Sequence, residues 1–185
     1  MNTSTILLVI VAVLVVWAIS IFNRLVTLRN RKNEALSDID VQSKRRYDLI
    51  PNLVETVKGY AKQESSVLEG VTKARTAAMG MTGSPLDKAA TENQFSSAIK
   101  SMFAVAEAYP DLKSNTNFLQ LQGELSDTEN KMMAARRFYN STVQDLNTGI
   151  QSFPGNLVAG MGGFAQEKFF EAGSEAEKQP VQVKF

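Results

Sequence analysis

"KRRYDLIPNLVETVKGYA", Lys44 to Ala61, opens on three consecutive cations and carries Pro51 inside what otherwise reads as a helix. A proline in a helix interior costs about 3 kcal/mol, because it removes a backbone hydrogen bond and its ring meets the preceding turn. In the first turn it costs little, since those amides have no partner anyway. The stretch therefore has two readings. In one, Asp48 is an N-cap, Leu49, Ile50 and Pro51 form a first turn, and the chain breaks there. The helices after the apolar N-terminus are then 24–47, 49–78, 85–108 and 116–152, with lengths suited to an up-down bundle. In the other, one kinked helix runs on to about Ala78. Ile39, Tyr47, Ile50, Val54 and Val57 stay near one face through Pro51, which favours the kink, and "RNRKNE" (Arg29 to Glu34) looks like an exposed stalk. The break is the preferred expectation.

Upstream, Ile6 to Phe22 reads "ILLVIVAVLVVWAISIF", with no charge and only Ser20 polar. Spanning a bilayer takes about 20 mostly apolar residues, with a lower limit near 17, so the stretch is just long enough. A buried core helix and a cleaved signal peptide are the other readings. Met1 to Thr5 carries no Lys or Arg, and Ala18-Ile19-Ser20 is a poor cleavage motif, which disfavours cleavage. Arg24, Arg29, Arg31 and Lys32 follow the span before the first acid, Glu34. By the positive-inside rule the N-terminus then lies outside and the rest in the cytoplasm. The same four cations are candidate contacts for anionic lipid headgroups, or serve as topology signals only.

Downstream, apolar residues recur at three- and four-residue steps. Ile50, Leu53, Val54, Val57, Tyr60, Ala61, Val67, Leu68, Val71, Ala74 and Ala78 form one stripe. "MGMTGSP" (Met79 to Pro85) interrupts it, and Ser84-Pro85-Leu86-Asp87 has the pattern of a helix start. "YPD" at Tyr109 to Asp111 stops that helix. Another begins near Asn115 and keeps the period from Phe118 to Ile150, until "FPGN" at Phe153 to Asn156. No strand-like alternation precedes the tail "PVQVKF". The expected fold is all-α: an N-terminal transmembrane helix followed by an antiparallel, four-helix-type bundle.

Three long stretches carry a family resemblance. They are "DIDVQSKRRYDLIPNLVETVKGYA" (Asp38 to Ala61), "AYPDLKSNTNFLQLQGELSDTEN" (Ala108 to Asn130), and "AARRFYNSTVQDLNTGIQSFPGNLVA" (Ala134 to Ala159) with the phenylalanine-rich tail ending "VKF". Together they resemble the LemA family of bacterial membrane-anchored helical proteins over essentially the whole chain. The resemblance implies a four-helix bundle behind one transmembrane helix and adds weight to the break. Gly123 and the glycine-rich "GMGGF" (Gly160 to Phe164) depart from the usual pattern. The expected organisation is a short external N-terminus (1–5), a transmembrane helix (6–22), a basic juxtamembrane segment (23–34), a LemA-like bundle (35–153) and an apolar Gly/Phe-rich segment with the C-terminal tail (154–185).

Composition narrows the chemistry. Lys and Arg total 20 against 19 Asp and Glu, so no electrostatic excess points to nucleic acid. The chain of 185 residues has no cysteine and no histidine, which removes disulfides, thiolate nucleophiles and the commonest general base and metal ligand. No Glu-x-x-His pair supports a di-iron site. No phosphate-binding glycine motif follows a strand, and "GMGG" reads as a loop. A Ser–Lys pair has no motif behind it. Asp38 and Asp40 with Arg45 and Arg46 read as surface ion pairs. No enzyme, metal or cofactor is expected.

Two Arg-Arg-aromatic units remain: Arg45-Arg46-Tyr47 and Arg136-Arg137-Phe138. Guanidinium forks beside aromatic rings favour interaction surfaces; intramolecular pairing with Asp48, Glu129 or Asp145 is the alternative. The expected function is a non-enzymatic, self-assembling scaffold at the bacterial inner membrane. Its partners are further copies of itself, the lipid bilayer and other membrane proteins. Membrane shaping or lipid binding, and an adaptor for a membrane protease or signalling protein, are the rivals. The break and the kink place Phe153 to Phe170 differently: near the bilayer after a break, far from it after a kink.

Overall fold

The computed structural model describes residues 2–81 and 85–170. Among them every regular element is a helix: α1 (Thr3–Tyr60), α2 (Ser65–Gly80), α3 (Pro85–Glu107), α4 (Pro110–Lys113), α5 (Thr116–Gln151) and α6 (Gly155–Gly162). The all-α expectation holds. The expected break at Asp48–Pro51 does not, because α1 runs through Pro51. Asp48 caps nothing; its carboxylate accepts from Lys44, one turn earlier, at 2.7 Å. Proline at 51 leaves the carbonyl of Tyr47 without its usual helical donor. The Arg75 side chain of α2 supplies one: its Nε donates to the Tyr47 oxygen at 2.8 Å.

The reversal comes later, at residues 61–64, where the Glu64 N–H donates to the Ala61 carbonyl at 3.2 Å. The stripe read as one helix from Ile50 to Ala78 thus belongs to two helices folded on each other. The expected Ser84 cap and the "PVQVKF" tail lie outside the described residues. Asn115 caps α5, its Oδ1 accepting the Phe118 N–H at 3.0 Å. "GMGG" is not wholly a loop: Gly160 to Gly162 finish α6, and Gly163 closes it at φ 68°, a left-handed conformation suited to glycine.

The residues form two compact units. Ile39–Ala134 forms most of one. Its core joins Ile50, Leu53 and Val57 of α1 to Leu68 and Val71 of α2, Phe95, Ile99 and Met102 of α3, Leu112 of α4, and Phe118 and Leu125 of α5. Burying each such side chain is worth about 1.5–3 kcal/mol, so this core supplies the main drive for the unit to fold.

The other unit combines Met1–Asp38 with Ala135–Phe169. One buried cluster joins Leu25, Leu146, Ile150 and Ala159, and Ala35, Tyr139 and Val143 of this unit are buried as well. Close backbone approach tightens the packing. A Cβ on Gly149 would lie 3.1 Å from Leu25 Cδ2, and a Cβ on Gly155 would lie 2.2 Å from the Gly149 carbonyl oxygen. Glycine at both positions lets α5 press on α1 and α6 fold back on α5. The Phe153–Pro154 peptide between α5 and α6 is cis. Residues 6–17 of α1 are all exposed, and this stretch is apolar around its whole circumference, as a lipid-covered span requires.

Candidate functional site

Within the Ile39–Ala134 unit, the first Arg-aromatic pair is interior. Arg46 is only 2 % exposed, and Tyr47 is buried beside it. Glu92 lies on the buried face of α3, in the register Glu92, Phe95, Ile99, Met102, and meets both. Arg46 Nη1 donates to Glu92 Oε2 at 3.1 Å, and the Tyr47 hydroxyl donates to Glu92 Oε1. Arg46 Nη2 reaches Ser96 Oγ at 2.7 Å and Glu129 of α5 at 3.2 Å. The guanidinium carbon sits 4.9 Å from the centroid of Phe95, whose ring also packs against Tyr47.

Burial, and then the Glu92 carboxylate, push the Tyr47 phenol well above its ordinary range. The expected surface role of Arg46 and Tyr47 is corrected accordingly: the partners are three acceptors on α3 and α5. Arg45 alone of the three stays exposed, 3.5 Å from Asp127. Lys131, donating to Asp127, holds that carboxyl below the usual range. This cluster ties α1, α3 and α5 together and offers no activated nucleophile.

In the unit that carries the span, the four juxtamembrane cations divide. Arg24, Arg29 and Arg31 are exposed. Lys32, expected at lipid headgroups, is instead buried and donates to Glu167 at 2.8 Å. Asn147 fixes that acid's backbone from both sides, its Nδ2 donating to the Glu167 carbonyl and its Oδ1 accepting the Glu167 N–H, each at 2.9 Å. The Tyr139 hydroxyl donates to the Lys168 carbonyl at 3.3 Å; burial, with Glu167 nearby, raises its phenol above the ordinary value. Arg29 lies 5.1 Å from the ring of Phe164, which meets Phe22 edge-on at 5.5 Å.

Thus Phe164 is packed at the end of the span. The unbroken α1 was expected to carry this segment far from it; the reversal at 61–64 keeps the number of helical passes, so α5 still returns. The apolar side chains nearby are left uncovered: Phe153 is 77 % exposed, Leu157 60 % and Met161 91 %. In the second Arg-aromatic unit Arg137 and Phe138 are exposed, while Arg136 is half-buried.

Sequence reasoning missed Glu92, Arg75 and Glu167. Glu92 alone left a signal, as an acid in step with an apolar stripe. Among the described residues no group of three His, Cys, Asp or Glu side chains is placed to hold a metal ion.

An apolar span joined to a helical bundle, with its buried charges Lys32, Arg46 and Glu92 engaged in packing, defines a membrane-associated helical protein. The chain belongs to the LemA family, whose model matches residues 35–185. It is 28 % identical over 159 residues to Protein LemA of Metamycoplasma hominis, covering 86 % of this chain and 72 % of that protein. It is 24 % identical over 175 residues to Magnetosome protein MamQ 2 of Paramagnetospirillum magneticum, covering 81 % of this chain and 64 % of that protein. Magnetosome protein MamQ of Magnetospirillum gryphiswaldense is 21 % identical over 174 residues, covering 80 % of this chain and again 64 % of the relative. The chain therefore spans under two thirds of the length of these MamQ relatives.

Proposed function

We propose that this protein is a non-enzymatic scaffold of the bacterial inner membrane that grips the cytoplasmic leaflet twice, by its span and by α6. The observation that carries this reading is the packing of Phe164 on Phe22, which leaves Phe153, Leu157 and Met161 uncovered beside the span. An apolar helix face at that height enters the interface. The orientation rests on the cations after Phe22 and their absence from residues 1–5. A fluorophore at Ala165 in the reconstituted protein tests the second grip. Quenching by lipid-borne quenchers is the expected result; a label tens of ångströms from lipid would reject it. A reporter fused after Phe185 that works only outside the cytoplasm should be silent, and strong activity would overturn the orientation.

Self-association is the second element of the reading. It is favoured by Phe138, 49 % exposed, next to exposed Arg137 on α5. An exposed aromatic beside a guanidinium fork suits a contact between copies. Native mass of the full-length protein extracted from membranes tests it; a monomer at high concentration would remove self-assembly and leave the adaptor reading, which crosslinking in cells would then identify.

A further inference from the structure

Within the span-bearing unit, α1 and α5 enclose a cleft of about 570 Å³. Arg24, Thr27 and Arg31 line it from α1, and Asp145 and Thr148 of α5, with Ser152 just past its last residue, line the other side. Both triplets repeat at three and four residues, so each is one face of its helix. The two ends of the cleft differ. Gly162 and Phe164, beyond the C-terminus of α5, meet Phe22, whereas Asn147 holds Glu167 against Lys32. The helices are therefore antiparallel. Arg24 and Ser152 stand at the membrane end, and Arg31 and Asp145 at the far end.

Height decides which group meets lipid. At about 1.5 Å per residue, Arg24 stands roughly 3 Å beyond Phe22 and Arg31 roughly 13 Å beyond it. The headgroup layer is about 5–7 Å deep on each side of the hydrocarbon. Only Arg24 falls inside it. Neither arginine has an ion-pair partner among the described residues, so Arg24 presents an uncompensated charge at headgroup height. The Thr27 hydroxyl already donates to the Asn23 carbonyl at 3.0 Å, which leaves its lone pairs to accept. Ser152 offers a further hydroxyl at the same end.

We propose that this cleft binds one anionic phospholipid with a hydroxylated headgroup. Arg24 holds the phosphodiester, and Thr27 and Ser152 hydrogen-bond the headgroup's hydroxyls. Asp145 at the far end disfavours a second phosphate there. The site rests on the proposed placement of this unit at the cytoplasmic leaflet.

The test is native mass spectrometry of the full-length protein released from nanodiscs of defined composition. Retention of phosphatidylglycerol in preference to phosphatidylcholine is expected. Arg24→Gln should weaken that retention about fivefold, the usual effect of one cation near an anionic surface. Arg31→Gln should change it by less than about twofold, given its height above the layer. Equal losses from the two variants would overturn the assignment, because a diffuse basic surface predicts them. Retention of phosphatidylcholine or phosphatidylethanolamine as strong as that of phosphatidylglycerol would overturn the anionic assignment. Displacement of the lipid by inorganic phosphate would move the site to a soluble anion and overturn the lipid one. The Ala165 depth measurement on the parent protein separates the two proposals. A label at the bilayer in a protein that retains no phosphatidylglycerol selectively leaves α6 in place and rejects only the cleft.

Discussion

Arg45-Arg46-Tyr47 and Arg136-Arg137-Phe138 are near copies in sequence, and the fold turns their aromatic rings in opposite directions. In the first, Arg46 and Tyr47 point inward and share Glu92. In the second, Phe138 points outward and it is the next residue, Tyr139, that is buried. A phase shift of one residue on a helix moves a side chain by about 100°, enough to exchange interior for solvent. What faces the first pair matters as well. Glu92 and Glu129 stand on two other helices within reach of Arg46, and an interior guanidinium needs such acids. Carboxylates far away in the chain thus make Arg46 and Tyr47 a core device.

The strongest way to break this comparison is Arg46→Met. Removing one partner strands Glu92 in the interior and should cost about 3–5 kcal/mol, read as a large drop in the thermal midpoint by circular dichroism. Arg46→Met with Glu92→Leu should recover about half of that loss or more, since replacing both charges removes the stranded one. If the single and double variants melt alike, packing and not pairing governs the cluster.

Tyr47→Phe is next. It deletes a hydrogen bond to a charged acceptor, worth about 1.5–3 kcal/mol. It also carries a pH signature. The phenol's folded pKa is raised above its unfolded value of about 10, so its contribution is intact below pH 10 and fades as pH rises beyond it. The parent should lose stability in that alkaline window more steeply than Tyr47→Phe does; identical alkaline slopes would contradict the burial of Tyr47.

Smaller effects sharpen the contrast. Arg45→Ala removes an exposed pair with Asp127 and should cost less than about 1 kcal/mol. Arg137→Glu should change the melting behaviour least, by about 0.5 kcal/mol or less. It should nonetheless lower the native mass of the assembly, which Lys73→Glu should leave intact. A loss of stability equal to that of Arg46→Met would mean that the second unit is also a core device.

Much of the architecture was legible because it is local. The span, the start of α5 at Asn115 and the periodic stripes each show within one or two turns of sequence. Pro51 was misread because the group that makes it tolerable, Arg75, lies on the next helix. The true reversal at 61–64 has no proline or glycine within it, and Gly59 and the Ser65–Ser66 pair were its only punctuation. Within the candidate site the exposure of Arg24, Arg29 and Arg31 was legible from their place after the span. The burial of Lys32 was not, since Glu167 is 135 residues away. Nor could spacing show that Gly155 is held against the Gly149 backbone.

The interior position of Arg46 also sets an order of events during synthesis. The chain leaves the ribosome N-terminus first, so the span and Arg46 emerge well before Glu92 and Glu129. Until then an arginine destined for the interior has none of its final acids and stays hydrated. The N-terminal helix can be captured by the membrane while its distal half waits in water, and the core can close only when α5 has been made. Contacts so distant in sequence make closure the slow step of folding. A nascent chain stalled before Glu129 should therefore be membrane-bound, helical and still open to proteases.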